Sequence, residues 1–187
     1  MTARMVLMGC LLRGVAVFAE PSPNVLALET RWTAEDGHGT TLGAWRGKRY
    51  VVSFIYTSCA STCPLTTQKL KRLEAALTKA GKPLDVVVVS LDPIRDTPSA
   101  VKQYRVTHAL TKAARWHVLV GEEAELRTLT MMLGFRYAKN PETGVILHDN
   151  SVYLIGPGGE VETSMSSLDQ AMTPFVDAVL KGRAGAL

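Results

Sequence analysis

Two cysteines stand four positions apart in the segment Thr57-Ser58-Cys59-Ala60-Ser61-Thr62-Cys63-Pro64, at the junction between a β-branched, aromatic run and a helical pattern. Thiols about one helical turn apart can face each other, so this pair can close a disulfide or clamp one metal ion. The carboxyl end of a buried strand is where open α/β sheets bind ligands. The positive end of the following helix favours thiolate, so at least one of the two thiols is expected to have a depressed pKa. Thiolate is the form that both binds metal and attacks disulfides. Three residues separate the cysteines, one more than in the usual dithiol reductase, which leaves room for a metal between the sulfurs. The structural alternatives are a plain disulfide locking the loop and two ordinary buried thiols.

Presenting such a pair takes a strand that ends at it and a helix that begins there. Residues 49–56 (RYVVSFIY) read as a strand buried on both faces. Residues 64–80 follow with Leu65, Leu70, Leu73, Ala76 and Leu77 near helical spacing, Pro64 in the first turn and Gly81 as the stop. Residues 84–91 (LDVVVVSL) form a second buried strand, and strand, helix and strand in this order give parallel neighbours through a right-handed crossover. A second helix is predicted from Thr97-Pro98 to about residue 108, a strand over 116–120, and a third helix over 122–133 stopped by Gly134. Residues 152–155 and 161–162, joined by Gly156-Pro157-Gly158-Gly159, read as a hairpin, and 168–181 as a final amphipathic helix. Nearer the N-terminus, a strand over 27–33 and a turn over 35–39 lead into residues 40–42 as another hairpin. The predicted architecture is α/β: a thioredoxin-like fold with a mixed central sheet flanked by helices and an N-terminal hairpin extension.

The bulk properties agree with one such domain. The chain has 187 residues, 47% of them hydrophobic and 20% charged, enough for a buried core without a disulfide scaffold. Its net charge of +4 is scattered, clustering only over Lys69 to Arg72, which is not a nucleic-acid footprint. Residues 1–20 have a basic start at Arg4, an apolar stretch interrupted by Arg13, and small residues around Ala19, a pattern resembling an export signal or membrane anchor. Residues 1–24 are therefore read as that segment plus a linker, and 25–187 as the folded domain. Only a handful of apolar residues precede Cys10, too few for a lipid-attachment site. No later segment reaches the roughly 20 apolar residues of a membrane span.

Two thiolates leave a metal site incomplete, and four histidines are available. His38 falls in a predicted turn and His108 near a helix end, and both read as solvated surface residues. His117 sits in a short strand and reads as packing. His148 differs because it precedes the hairpin strand that a thioredoxin-like fold sets beside the first helix, which makes it a candidate third ligand. Two thiolates and an imidazole suit copper, since sulfur selects Cu(I) and nitrogen accommodates Cu(II). A structural zinc site asks for a fourth protein ligand. Met131, Met132, Met165 and Met172 have the spacing of core residues.

Three separated segments resemble the Sco-type copper proteins that assist cytochrome c oxidase assembly. They are Tyr56 to Pro64, Ser90-Leu91-Asp92-Pro93-Ile94-Arg95-Asp96-Thr97-Pro98, and His148 five residues before Tyr153-Leu154-Ile155-Gly156-Pro157. The resemblance implies a thioredoxin-like fold and a copper site made of Cys59, Cys63 and His148. Two positions depart from the family pattern: Ala60 stands where a proline commonly follows the first cysteine, and Leu147 where an acidic residue commonly precedes the histidine. Both keep the ligands and alter what surrounds them. In the Asp92-to-Thr97 segment, Asp96 or Thr97 is expected to cap the next helix while Arg95 pairs locally. Asp92 is read either as part of that loop or as a neighbour of the thiols.

The leading functional expectation is a copper metallochaperone, facing the periplasm, that delivers copper to a recipient, in the resemblance a cytochrome c oxidase subunit. The alternative is a thiol-disulfide oxidoreductase whose redox-active Cys59 and Cys63 reduce the cysteines of a cuproprotein target and are themselves served by a thioredoxin-like reductant. A thiol peroxidase is a third reading, set back by the second thiol four positions away. No nucleic-acid partner is expected, and membrane association only through the N-terminal segment.

Overall fold

The structure, a computed structural model, describes residues 23–59, 62–167 and 170–182. Its centre is the pair of apolar runs. In β3 (Tyr50–Ile55) every residue is buried, and in β4 (Asp85–Ser90) all but the first. The two strands pair in parallel from Tyr50 opposite Asp85 to Ile55 opposite Ser90. Runs without polar alternation have no solvent face to offer, so they take the middle of the sheet. β5 (Trp116–Val120) adds in parallel beside β4. On the other side β8 (Val152–Ile155) pairs antiparallel with β3 and β9 (Val161–Met165) with β8. A small hairpin, β1 (Trp32–Ala34) and β2 (Gly39–Thr40), closes the edge beyond β5. The seven-stranded order is β2-β1-β5-β4-β3-β8-β9.

Helix α1 (Thr62–Lys79) follows the cysteine loop and buries Leu70, Leu73 and Leu77, one stripe at i, i+3 and i+7. Each such leucine contributes about 2 kcal/mol by leaving water. α2 (Pro98–Thr107) starts with Thr97 as its cap, the Thr97 hydroxyl accepting from the Ala100 amide at 3.3 Å. α3 (Glu123–Leu133) ends at Gly134 in the left-handed region, and α4 (Thr173–Lys181) packs against β9 and α1. Among the described residues no helix is long and apolar enough to cross a membrane. The export-signal reading, including Cys10, and the start of the predicted last helix at 168–169 lie outside the described residues.

Four elements differ from the sequence expectation. The last helix, predicted over 168–181, begins only at Thr173, with Pro174 in its first turn. The N-terminal hairpin is shorter, because Asn24 and Thr41 turn their side-chain oxygens onto the amides of Leu26 and Gly43 and initiate 3-10 turns at Val25–Ala27 and Leu42–Trp45. β9 is longer than predicted. A second sheet is new: β6 (Tyr137–Lys139) and β7 (Ile146–His148) pair antiparallel with each other and with no other strand.

Candidate metal centre

The loop after β3 carries Cys59, and Cys63 follows in the first turn of α1. The Cys63 amide donates to the Cys59 sulfur at 3.3 Å, so that sulfur takes up one of the free N–H groups at the helix start. Thr67, one turn on, donates to the Cys63 carbonyl at 2.9 Å and also hydrogen-bonds the Tyr104 hydroxyl, tying this turn to α2. No disulfide joins Cys59 and Cys63, and both are buried, Cys63 completely and Cys59 at 8% exposure.

His148 arrives on β7 from the opposite side. Its Nε2 lies 3.6 Å from the Cys63 sulfur, although the two residues are 85 positions apart. Its Nδ1 lies 2.6 Å from the carbonyl oxygen of Asp149. A carbonyl can only accept, so Nδ1 donates to it, and Nε2 is the ring nitrogen turned toward the Cys63 sulfur, the one placed to ligate a metal. That carbonyl is itself fixed: the Asp149 amide donates to the Arg136 carbonyl at 2.9 Å, and the Arg136 amide and guanidinium return bonds to the Asp149 carboxylate at 3.0 to 3.3 Å.

The ring is positioned by aromatics. Phe135 stacks on it with centroids 6.1 Å apart and planes 25° apart, and Tyr56 meets it edge-on at 6.0 Å. Phe135 is delivered by the end of α3, where Gly134 at φ 63° lets the Phe135 amide fold back onto the Thr130 carbonyl at 2.9 Å.

The three donor atoms, two sulfurs and one imidazole nitrogen, lie within 4.8 Å of one another. Ligands about 2.0–2.3 Å from one ion stand about 3.5–4 Å apart, so a slight closure brings all three onto a shared metal. Two sulfurs and one nitrogen form a soft donor set, fitted to copper. Of the other histidines, His38 is exposed in its turn beside Asp36, and His117 packs its ring against Trp45 at 5.2 Å. His108 is half-buried against Tyr104 at 4.3 Å, not the solvated residue expected.

Electrostatics sets Cys63 apart from a helix-activated thiol. Burial pushes the Cys63 thiol up, and the neighbouring Cys59 and Asp96 push the same way. The helix N-terminus does not overcome the loss of water around a fully enclosed sulfur. The Asp92-to-Thr97 segment is also clarified. Thr97 alone caps α2. Asp96, buried, instead accepts from the Thr57 amide and hydroxyl at 3.1 and 2.6 Å and from Ser90 at 2.5 Å. Burial raises its carboxyl even so, against the pull of these bonds. The contributions of Phe135 and the Asp149 carbonyl escaped the sequence reading; the Gly134-Phe135 stop was the only available signal for the former.

Fold and donor set together define a thioredoxin-like domain with a dithiol-imidazole centre beyond the carboxyl end of its inner strand β3. The SCO1/SenC family model matches residues 22–179, and the chain belongs to this family. A SCO1 protein homolog of Bacillus subtilis is 26% identical over 147 residues, 78% of this chain and 75% of the relative. BsSco, described as a member of the Sco family of cytochrome c oxidase assembly proteins with a disulfide switch, superposes with TM-score 0.74 at 23% identity, covering 86% of this chain and 93% of that one. Arabidopsis thaliana ScoI with copper bound gives TM-score 0.71 at 23% identity, covering 81% and 94%.

Proposed function

We propose that the reduced protein binds one copper ion through Cys59, Cys63 and His148 and carries it as cargo to a cuproprotein, with a cytochrome c oxidase subunit as the recipient. The observation that carries this reading is the convergence of two sulfurs and one imidazole nitrogen within 4.8 Å, from segments far apart in the chain. Family membership and a copper-bound structural neighbour support it. In this reading residues 25–187 are the copper-binding domain. Residues 1–24 serve as export signal or anchor on the periplasmic side, where a thiol pair meets oxidising conditions.

Copper loading tests it. The reduced protein is expected to take up one equivalent of Cu(I) or Cu(II), with a sulfur-to-Cu(II) charge-transfer band that Cys59→Ser or Cys63→Ser removes. His148→Ala is expected to weaken binding by about 10- to 100-fold. Binding by His148→Ala as tight as by the parent would refute the three-ligand centre.

A second reading is favoured by the Cys63 amide donating to the Cys59 sulfur, since such a bond supports Cys59 as the attacking thiolate. The dithiol then attacks a disulfide in the target, a mixed disulfide forms, and Cys63 resolves it, leaving the target as a dithiol and this protein as a disulfide. The oxidised form has no thiolates for copper and needs a dithiol reductant of the thioredoxin type to return. Both activities fit one cycle, in which reduction of the recipient precedes metal delivery.

A further inference from the structure

Asp92, in the loop that follows β4, is completely buried, yet both of its carboxylate oxygens are held by cations. Arg95, three residues on, binds Oδ2 through Nε, and Lys139 binds Oδ1 at 3.0 Å. Neither partner is a purely local choice. Lys139 is the last residue of β6. Arg95 uses a second nitrogen, Nη2, to bind the carbonyl of Gly144 at 2.6 Å, in the turn ahead of β7. Gly144 adopts φ +68°, and a Cβ there would stand 2.8 Å from the Arg95 guanidinium, so the turn lies directly against it. The β6 arm and the turn of the hairpin that ends in His148 are thus fastened to one interior carboxylate, the turn through Arg95.

The hairpin is also tied to α3, where the Tyr137 hydroxyl donates to Glu123 at 2.9 Å, and His148 packs on Phe135 and Tyr56. β6 and β7 pair only with each other, through three residue pairs, and Ile146 is the one β6–β7 residue that is fully buried. The same loop reaches the other half of the metal centre. The Ser90 hydroxyl accepts from the Asp92 amide at 3.0 Å and donates to Asp96, which in turn holds Thr57, two residues before Cys59. One hydrogen-bonded loop therefore spans the gap between the cysteine segment and the histidine hairpin.

We propose that Asp92, Arg95 and Lys139 form an electrostatic latch that positions the β6–β7 hairpin and so fixes the His148 imidazole against the two sulfurs. An ion in the interior is stable only while its partners stay in place. Lifting the hairpin strips Lys139 from Asp92 and the Gly144 carbonyl from Arg95, leaving Arg95 as the one cation on the interior carboxylate, so the latch favours a single seated position. The three residues are positioning residues that act through His148, and the assignment rests on the reading of His148 as a ligand.

Lys139→Met tests the latch, because it removes one charge from a side chain whose end is 39% exposed and leaves Arg95 to hold Asp92. In the metal-free reduced protein, amide hydrogen exchange at Asn140 and Asp149, whose amides close the hairpin, is expected to speed up about tenfold while α1 is unchanged. Cu(II) affinity is expected to fall about tenfold and to recover in Lys139→Arg, with no further loss from Lys139→Met in a His148→Ala background. Unchanged exchange at Asn140 and Asp149, or the same affinity loss in both backgrounds, overturns the latch. Should His148→Ala alone leave copper affinity untouched, the ligand reading fails, and the exchange measurement by itself decides whether the hairpin is latched.

Discussion

Cys63 is enclosed and its thiol is pushed up by burial, so at neutral pH the metal-free centre holds it protonated. Metal ligation needs the thiolate, and binding must therefore expel that proton. At low pH protons compete with copper; as pH rises the competition relaxes and apparent affinity increases. Because the shift is upward, the increase continues through neutrality instead of levelling off below it. The expected slope is about tenfold in affinity per pH unit for each proton released across roughly pH 6 to 8, read by competition with a chelator whose own pH dependence is known. A flat profile would mean that both thiols are already ionised. The cysteine pair was legible from spacing and from its place after a buried strand, and His148 was singled out by position and then by the family resemblance. At Cys63 the helix end does not depress the thiol, because exposure cannot be read from a motif and burial there outweighs the helix end. Nor could the partner of Nδ1 be read, since a backbone carbonyl leaves no mark in the residue types.

At the scale of elements, the centre depends on how α3 stops. Gly134 occupies the left-handed region at φ 63°, and a Cβ at that position would have no atom within 4 Å. Space is therefore not what asks for glycine there; backbone conformation is. Gly134→Ala is expected to lower unfolding free energy by about 1 kcal/mol, measured from the midpoint of urea denaturation at unchanged slope. An unaltered midpoint would show that the chain leaves α3 by another route at no cost. The helix stop, the two buried parallel strands and the β8–β9 hairpin were legible because apolar runs, glycine and proline each mark a distinct conformational limit. β6 and β7 were not. Each has three residues and the intervening turn is polar, so no periodicity develops; their register comes from Arg136 and Asp149 at one end and the Asn140-to-Gly144 turn at the other.

For the whole molecule, copper held by all three proposed ligands would join parts of the fold that the backbone leaves separate. The cysteine segment belongs to the main sheet and α1, whereas the histidine belongs to a two-stranded sheet of its own. A ligand that binds only the folded arrangement stabilises it in proportion to the logarithm of its concentration, about 2.7 kcal/mol at one hundred times its dissociation constant. For a chain of this length that corresponds to a rise in Tm of roughly 5 to 10 °C. The reduced protein is expected to show this rise with copper. His148→Ala should lose much of it, because the metal then no longer bridges the hairpin to the cysteine segment. The disulfide form should show none, since its sulfurs have no lone thiolate to offer. Thermal unfolding of the three samples, with and without copper, separates these outcomes: an equal rise in the oxidised protein would place the stabilising metal elsewhere, and an undiminished rise in His148→Ala would mean that the cysteines alone carry it.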